Sequence, residues 1–296
     1  MNITQIIKDF ETQQKCILHL EKVRWNNKPT CPYCKSERSS KYKSTRYYTC
    51  LNCNDSYSVT VGTLFHDTKV PLQKWFMAIS LILNAKKGIS ALQLKRDLGI
   101  GSYKTAWRML RLIRKAMVNK QEQQYFYSIV EIDETYIGGK PRKFSKDNKR
   151  GRGTKKVPVI GVVNRETKEV YAKIAEPNAE GKKLTGKQLL AVLKEASNEY
   201  MTTVMSDEFR SYNILKSTEY KHFVVDHTKE FVSGNIHTNT IESFWALLKR
   251  GLYGIYHHVS QKYLQEYVNE FCFRYNNRNE QQAFDVILNK AMLGIA

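Results

Sequence analysis

The chain has 296 residues, enough to bury a sizeable core and to divide into two or three domains. Its 48 Lys and Arg against 28 Asp and Glu leave a formal charge of +20, an excess that selects a polyanionic partner such as DNA or RNA. No stretch approaches the roughly 20 apolar residues of a membrane span, and the N-terminus lacks the basic start and apolar core of a secretion signal, so the sequence reads as cytoplasmic with no membrane partner.

Residues 1 to about 25 predict a short helix, with Ile6, Ile7, Phe10, Ile17, Leu18 and Leu20 as its apolar contacts. Two knuckles follow, Cys31-Pro-Tyr-Cys34 and Cys50-Leu-Asn-Cys53, separated by fifteen residues. That spacing matches a tetrahedral zinc of four thiolates, closed to substrate and therefore structural. Disulfides do not suit a cytoplasmic chain, and a redox pair does not explain the duplicated spacing. The helix and zinc ribbon make a first domain, 1–66.

Residues 67–120 predict three helices, the last two a helix-turn-helix. Ser90, with Gln93 three residues on, has the form of a capping box; Gly99 ends that helix and Ser102 begins the next. Ala106, Leu110, Ile113 and Met117 mark an apolar stripe on the second helix. Lys104, Arg108, Arg111 and Lys115 mark a basic one suited to a DNA groove.

From 126 to 260 strands and helices alternate. The expected order is a strand ending at Asp133, strands at 157–163 and 169–175, a helix from Leu184 to Tyr200, a strand at 203–207 and a helix at 237–250. Three hairpin-connected strands, a helix and a further strand form a ribonuclease-H-like core. A basic insertion, 139–156, interrupts it: residues 140–156 hold nine Lys or Arg, among them Lys140, Arg142, Lys143, Arg150 and Arg152, against the single acid Asp147. Such a loop would grip phosphates in a salt-dependent way.

Three acids carry the chemistry. Asp133 and Asp207 stand at strand ends, and Glu242 lies on the last of these helices. Hard divalent cations prefer such oxygen ligands, and a pair of ions, magnesium or manganese, can drive in-line phosphodiester displacement. Seven residues beyond Glu242, Lys249 returns to within about 20° of it, and Asn239 lies within about 60°. One helix face thus offers an amide, a carboxylate and a cation, beside Arg250. Two further helices, 261–296, close the chain. The fold expected is an α+β multidomain protein: zinc ribbon, helix-turn-helix, ribonuclease-H-like α/β core and C-terminal helices.

Asp133-Glu-Thr-Tyr-Ile-Gly-Gly-Lys140, the block from His237 through Glu242 and Trp245 to Arg250, and Phe273-Arg-Tyr-Asn-Asn-Arg278 resemble the DDE transposases. The resemblance is to the bacterial insertion-sequence branch with an N-terminal zinc ribbon, related to the Merlin elements, and it covers nearly the whole chain. It implies a nucleoid-associated enzyme that works as a homodimer or higher multimer on double-stranded DNA. Its sites would be terminal inverted repeats, which it nicks before the freed 3′-hydroxyl attacks target DNA. Asp133 and Asp207 match the family's first two acids. For the third, Glu242 is favoured because a carboxylate neutralises metal charge, with Asn239 as the alternative or a second ligand. A DNA-binding regulator without strand transfer, or a metal-dependent nuclease, would share these features.

Overall fold

A computed structural model describes residues 2–26, 28–41, 46–118, 126–139, 156–175, 184–225, 237–280 and 282–293. The chain divides into two compact units, one of residues 1–117 and 279–296, the other of residues 118–278.

In the first unit Asn2 accepts from Gln5 N–H to cap α1 (Ile3–Asp9), and Thr12 accepts from Lys15 N–H to cap α2 (Gln13–Trp25). Two cap side chains each start a helix, so the single helix expected here is two. Strands β1 (Ser39–Lys41), β2 (Tyr47–Cys50) and β3 (Ser56–Ser58) form an antiparallel ribbon. It packs on α2 through Trp25, whose ring meets Tyr48 and Tyr57 edge-on at 5.4 and 5.8 Å. Helices α3 (Leu72–Asn84), α4 (Ala91–Asp97) and α5 (Tyr103–Ala116) follow as expected. Ser90 accepts from Gln93 N–H at 3.1 Å, and Gly99 turns the chain at φ +56. Ser102 occupies the N-cap position of α5 but makes no side-chain cap bond.

The second unit is built on β4 (Phe126–Ile137), the middle strand of a five-stranded sheet. β5 (Val157–Asn164) pairs antiparallel with it, and β6 (Val170–Ile174) antiparallel with β5. Helix α6 (Gly186–Ala196) then crosses to β7 (Ser197–Ser206), which lies parallel to β4 on its other side. The helix expected as far as Tyr200 stops at Ala196 because pairing with β4 begins at once, Ser197 opposite Phe126. A 3-10 helix (Arg210–Ser217) leads to β8 (Lys221–Val224), parallel to β7. The sheet order β6-β5-β4-β7-β8 contains the four strands expected and adds β8 at one edge.

Side chains alternate across β4. Val130 and Ile132 join Leu189, Leu193 and Tyr212 on the α6 face. The opposite face packs on α7 (Asn239–Gly254) and α8 (Gln261–Asn276) through Val159, Val163, Ile241, Phe244, Trp245, Leu248 and Phe271. Glu131 and Asp133, odd-numbered like Ile137, therefore face α7. Among the described residues no helix is long and apolar enough to cross a membrane.

The chain then returns to the first unit. Helix α9 (Ala283–Met292) buries Phe284, Ile287, Leu288 and Ala291 completely. The Phe284 ring lies 5.7 Å from that of Phe76, and Leu64 N–H donates to Ala291 O at 3.0 Å. The unit that carries the ribbon is thus completed by residues at the other end of the sequence. Truncating a buried ring costs about 3–5 kcal/mol, so Phe284→Ala is expected to lower the stability of this unit by that amount in urea unfolding. A loss under about 1 kcal/mol would contradict the packing.

Candidate active site and zinc centre

Cys31, Cys34, Cys50 and Cys53 bring their four Sγ atoms within 4.8 Å of one another. The Cys31–Cys53 and Cys34–Cys50 separations are 3.7 and 3.5 Å. Bonds of about 2.3 Å to a tetrahedral zinc require sulfurs about 3.8 Å apart, so the residues fit that ion. Backbone N–H donors, first from Cys53 and then from Asn52, hold the Cys50 thiol down at about 6, whereas burial and then the neighbouring sulfurs push Cys53 up to about 12.

The acidic site begins with Glu131, whose side chain is wholly buried. Its Oε1 accepts from Arg165 Nε at 2.7 Å and lies 3.3 Å from His237 Nδ1. Its Oε2 accepts from the backbone N–H groups of Thr240 and Ile241 at 2.9 and 3.0 Å. These are the two first-turn donors that an N-cap side chain ordinarily satisfies. Thr238, the N-cap of α7, makes no such bond. Its hydroxyl donates instead to Glu242 Oε1 at 3.1 Å. A carboxylate from the central strand therefore caps the helix, and the local cap residue holds the candidate ligand. Arg165 adds a bond to the carbonyl of His237, fixing the chain just before α7.

Two residues along β4, Asp133 shares Glu131's face; it lies inside the strand and not at the strand end expected, because pairing with β5 continues to Ile137 opposite Val157. Glu131 is in register with Met205 on the parallel strand β7, so the same step leads from Met205 to Asp207, just past the end of β7. The two carboxylates are close enough that the negative charge of Asp207 disfavours ionisation of Asp133. Burial, then the charge of Glu134, and further down Asp207, push the Asp133 carboxyl up to about 7. Asp207 Oδ1 accepts from Phe209 N–H at 3.0 Å, which fixes the turn behind it. Glu134 points to the α6 face and accepts from Tyr212 Oη at 3.0 Å.

Asp133 Oδ2 accepts from Trp245 Nε1 at 3.0 Å. Glu242 lies about 60° around α7 from Trp245 and Lys249 about 40°, so both flank the edge of the helix that meets Asp133. Glu242, Asn239, Lys249 and Arg250 are all exposed. Among the described residues the four cysteines are the group of metal-ligating atoms gathered within 4.8 Å, and the three acids are more widely spread. On α5, Lys104 and Arg108 are exposed, while Arg111 and Lys115 are half-buried. Lys104 and Arg108 line a cavity of about 320 Å³ together with Lys69 and Trp75. Lys140, Arg142, Lys143, Arg150 and Arg152 lie outside the described residues.

Glu131, Gly161 and Trp245 were not singled out by the sequence reading. A signal existed for two of them. An acid two residues before Asp133 on an apolar strand shares its face, and a glycine inside Val157–Val163 marks a close approach.

Residues 127–276 match the family model of the ISXO2-like transposase domain, and residues 11–56 that of the transposase zinc-ribbon domain. A Halobacterium salinarum protein described as an uncharacterized protein in transposable element ISH50 is 30% identical, over 97% of this chain and 99% of its own length. An uncharacterized transposase-like protein of Haemophilus influenzae is 29% identical, over 28% of this chain and 68% of its own length. The solved pre-cleavage Mos1 transpososome aligns over 98% of this chain and 97% of its own at 10% identity, with a TM-score of 0.31, too low to bear on the fold.

Two expectations follow from the geometry. Glu131→Gln keeps the shape but leaves Arg165 without its anion, and breaking a buried pair costs about 3 kcal/mol or more. Denaturant unfolding should show that loss, with faster amide exchange in the first turn of α7; an unchanged midpoint would refute the anchoring role. For Asp133 the folded-state value lies above the unfolded one of 3.8. Its contribution to stability is therefore complete below that value and is lost as pH rises toward about 7. Asp133→Asn should stabilise the metal-free protein at pH 8 and change it little at pH 4. Equal effects at both would contradict the shift.

Proposed function

Because this chain belongs to the ISXO2-like transposase family, we propose that it cuts and rejoins DNA at the ends of a mobile element, using divalent ions held by Asp133, Asp207 and Glu242. The observation that carries this reading is Asp133 on β4 within electrostatic reach of Asp207 just past β7, on the sheet face that packs against α7. In a chain of charge +20, a buried acid raised toward 7 beside a second acid is a site that wants a cation. The donor set is all oxygen, which suits magnesium or manganese. When bound, such ions activate a water or 3′-hydroxyl and neutralise the leaving oxygen of an in-line displacement.

The chain's own residues do the rest. Asp133 and Asp207 hold fixed positions on the sheet. Glu242, tethered by Thr238 on a helix that Glu131 anchors, completes the set from the other side, with Asn239 as the alternative third residue or an added ligand. Lys249, one turn beyond Trp245, and Arg250 next to it offer cations to the scissile phosphate or its neighbour. Lys104, Arg108, Arg111 and Lys115 engage terminal-repeat DNA, and Lys140, Arg142, Lys143, Arg150 and Arg152 the backbone nearer the cut. A homodimer or larger multimer on two element ends would bring both to one target, among the DNA of the nucleoid. The zinc centre stabilises the ribbon and takes no part in the chemistry.

Asp133→Asn and Asp207→Asn should each abolish magnesium-dependent nicking of terminal-repeat DNA while leaving its binding within about threefold in a gel-shift titration. Nicking that survives either change would remove that acid from the site. Products separate the alternatives: wild type should join cut ends to a second duplex, whereas cleavage without joining would make it a nuclease and binding alone a regulator.

A further inference from the structure

Gly161 is the register partner of Asp133 across β4 and β5. A Cβ at that position would come within 2.6 Å of the Trp245 ring and 2.9 Å of Ile241 Cδ1, closer than side chains tolerate. The missing side chain lets the indole lie on the sheet and reach Asp133 Oδ2 with its N–H at 3.0 Å. Trp245 is otherwise enclosed by carbon, in the cluster of Val159, Val163, Ile241, Phe244 and Leu248. Filling that space needs only a ring. An indole brings in addition a single donor and no acceptor, and here that donor is spent on a carboxylate. The bond fixes the rotamer of a side chain that, in an exposed setting, would turn freely about χ1 and χ2. Helix α7 thus meets the sheet through two directed contacts, Glu131 with its first turn and Trp245 with Asp133.

We propose that Trp245, seated on Gly161, is a positioning residue that orients the Asp133 carboxylate for the divalent ion and so sets the affinity of the site. The inference rests on the metal reading above and adds to it a residue that touches neither ion nor DNA. Partners that orient a metal ligand commonly change affinity by about 10- to 100-fold when removed.

The test uses the full chain without DNA. Manganese binding is followed by electron paramagnetic resonance in wild type, Trp245→Phe, Gly161→Ala, the double variant and Asp133→Asn. Trp245→Phe keeps a ring over Gly161 and loses the N–H; Gly161→Ala keeps the N–H and displaces it. Each is expected to weaken manganese binding about tenfold, and the double variant should be no weaker than Trp245→Phe alone, since both changes remove one contact. A second readout needs no packing variant to fold. In protein labelled with ¹⁵N-tryptophan, the Trp245 indole resonance should shift on adding magnesium and stay still in Asp133→Asn. Affinity within twofold of wild type in folded Trp245→Phe, or an indole resonance indifferent to magnesium in a protein that binds it, would overturn the proposal. A wild-type chain with no manganese site that Asp133→Asn removes would instead sink the metal reading itself.

Discussion

One buried carboxylate sets the geometry of the candidate site. Glu131 leaves the water it would prefer, and each of its oxygens finds a donor: Arg165 on one, the first-turn amides of α7 on the other. An unpaired charge at that depth would cost several kcal/mol; here the helix N-terminus supplies both hydrogen bonds and a favourable dipole. Sequence separation between Glu131 and Ile241 is 110 positions, so the contact also closes the second unit on itself. Glu242, Trp245 and Lys249 ride on a helix whose first turn this bond fixes and whose apolar face packs on the sheet through Ile241, Phe244 and Leu248.

The sheet contributes the other half. Period-two alternation puts Glu131 and Asp133 on one face of β4, and the parallel register with β7 brings Asp207 level with Asp133. Parallel pairing matters for that: β7 stops at Ser206, and Asp207 just past its end comes beside Asp133, which lies inside β4 four residues before that strand's end at Ile137. The antiparallel neighbour on the other side supplies a glycine, Gly161, where a helix side chain has to approach. Structure and charge then conflict deliberately. The anchoring acid is neutralised from within, whereas the charge of Asp207 disfavours ionisation of Asp133, a conflict that the cation of the proposed site would relieve. The same edge lies in a chain whose overall excess of positive charge attracts phosphate.

Much of this was legible in the residues themselves. The zinc knuckles declare their geometry by spacing, and the described sulfurs agree with it. The three helices from 72 to 116 and the strand order up to β7 follow from apolar periodicity and glycine stops. Strand β8 escaped because Lys221-His-Phe-Val224 is a short edge with three of its four residues exposed, so burial imposes no alternation on it. The end of α6 was overrun because Ser197–Tyr200 is decided by pairing with β4, a non-local contact that helix propensity does not report. Glu131 was visible as an acid in an apolar run, but its partners are Arg165, 34 positions away, and two backbone amides of α7, long-range contacts that no local pattern records. Likewise α9 reads as a C-terminal helix, while its membership of the N-terminal unit is a matter of tertiary packing alone.

The central claim is that Asp133, Asp207 and a residue of α7 share divalent cations. Crystals of the protein grown with manganese and examined at its absorption edge test this most directly. The account predicts an anomalous peak between the Asp133 and Asp207 carboxylates, with Glu242 or Asn239 within about 2.2 Å of an ion. Ordered carboxylates at that edge with no peak between them, or a peak confined to some other part of the chain, would contradict it.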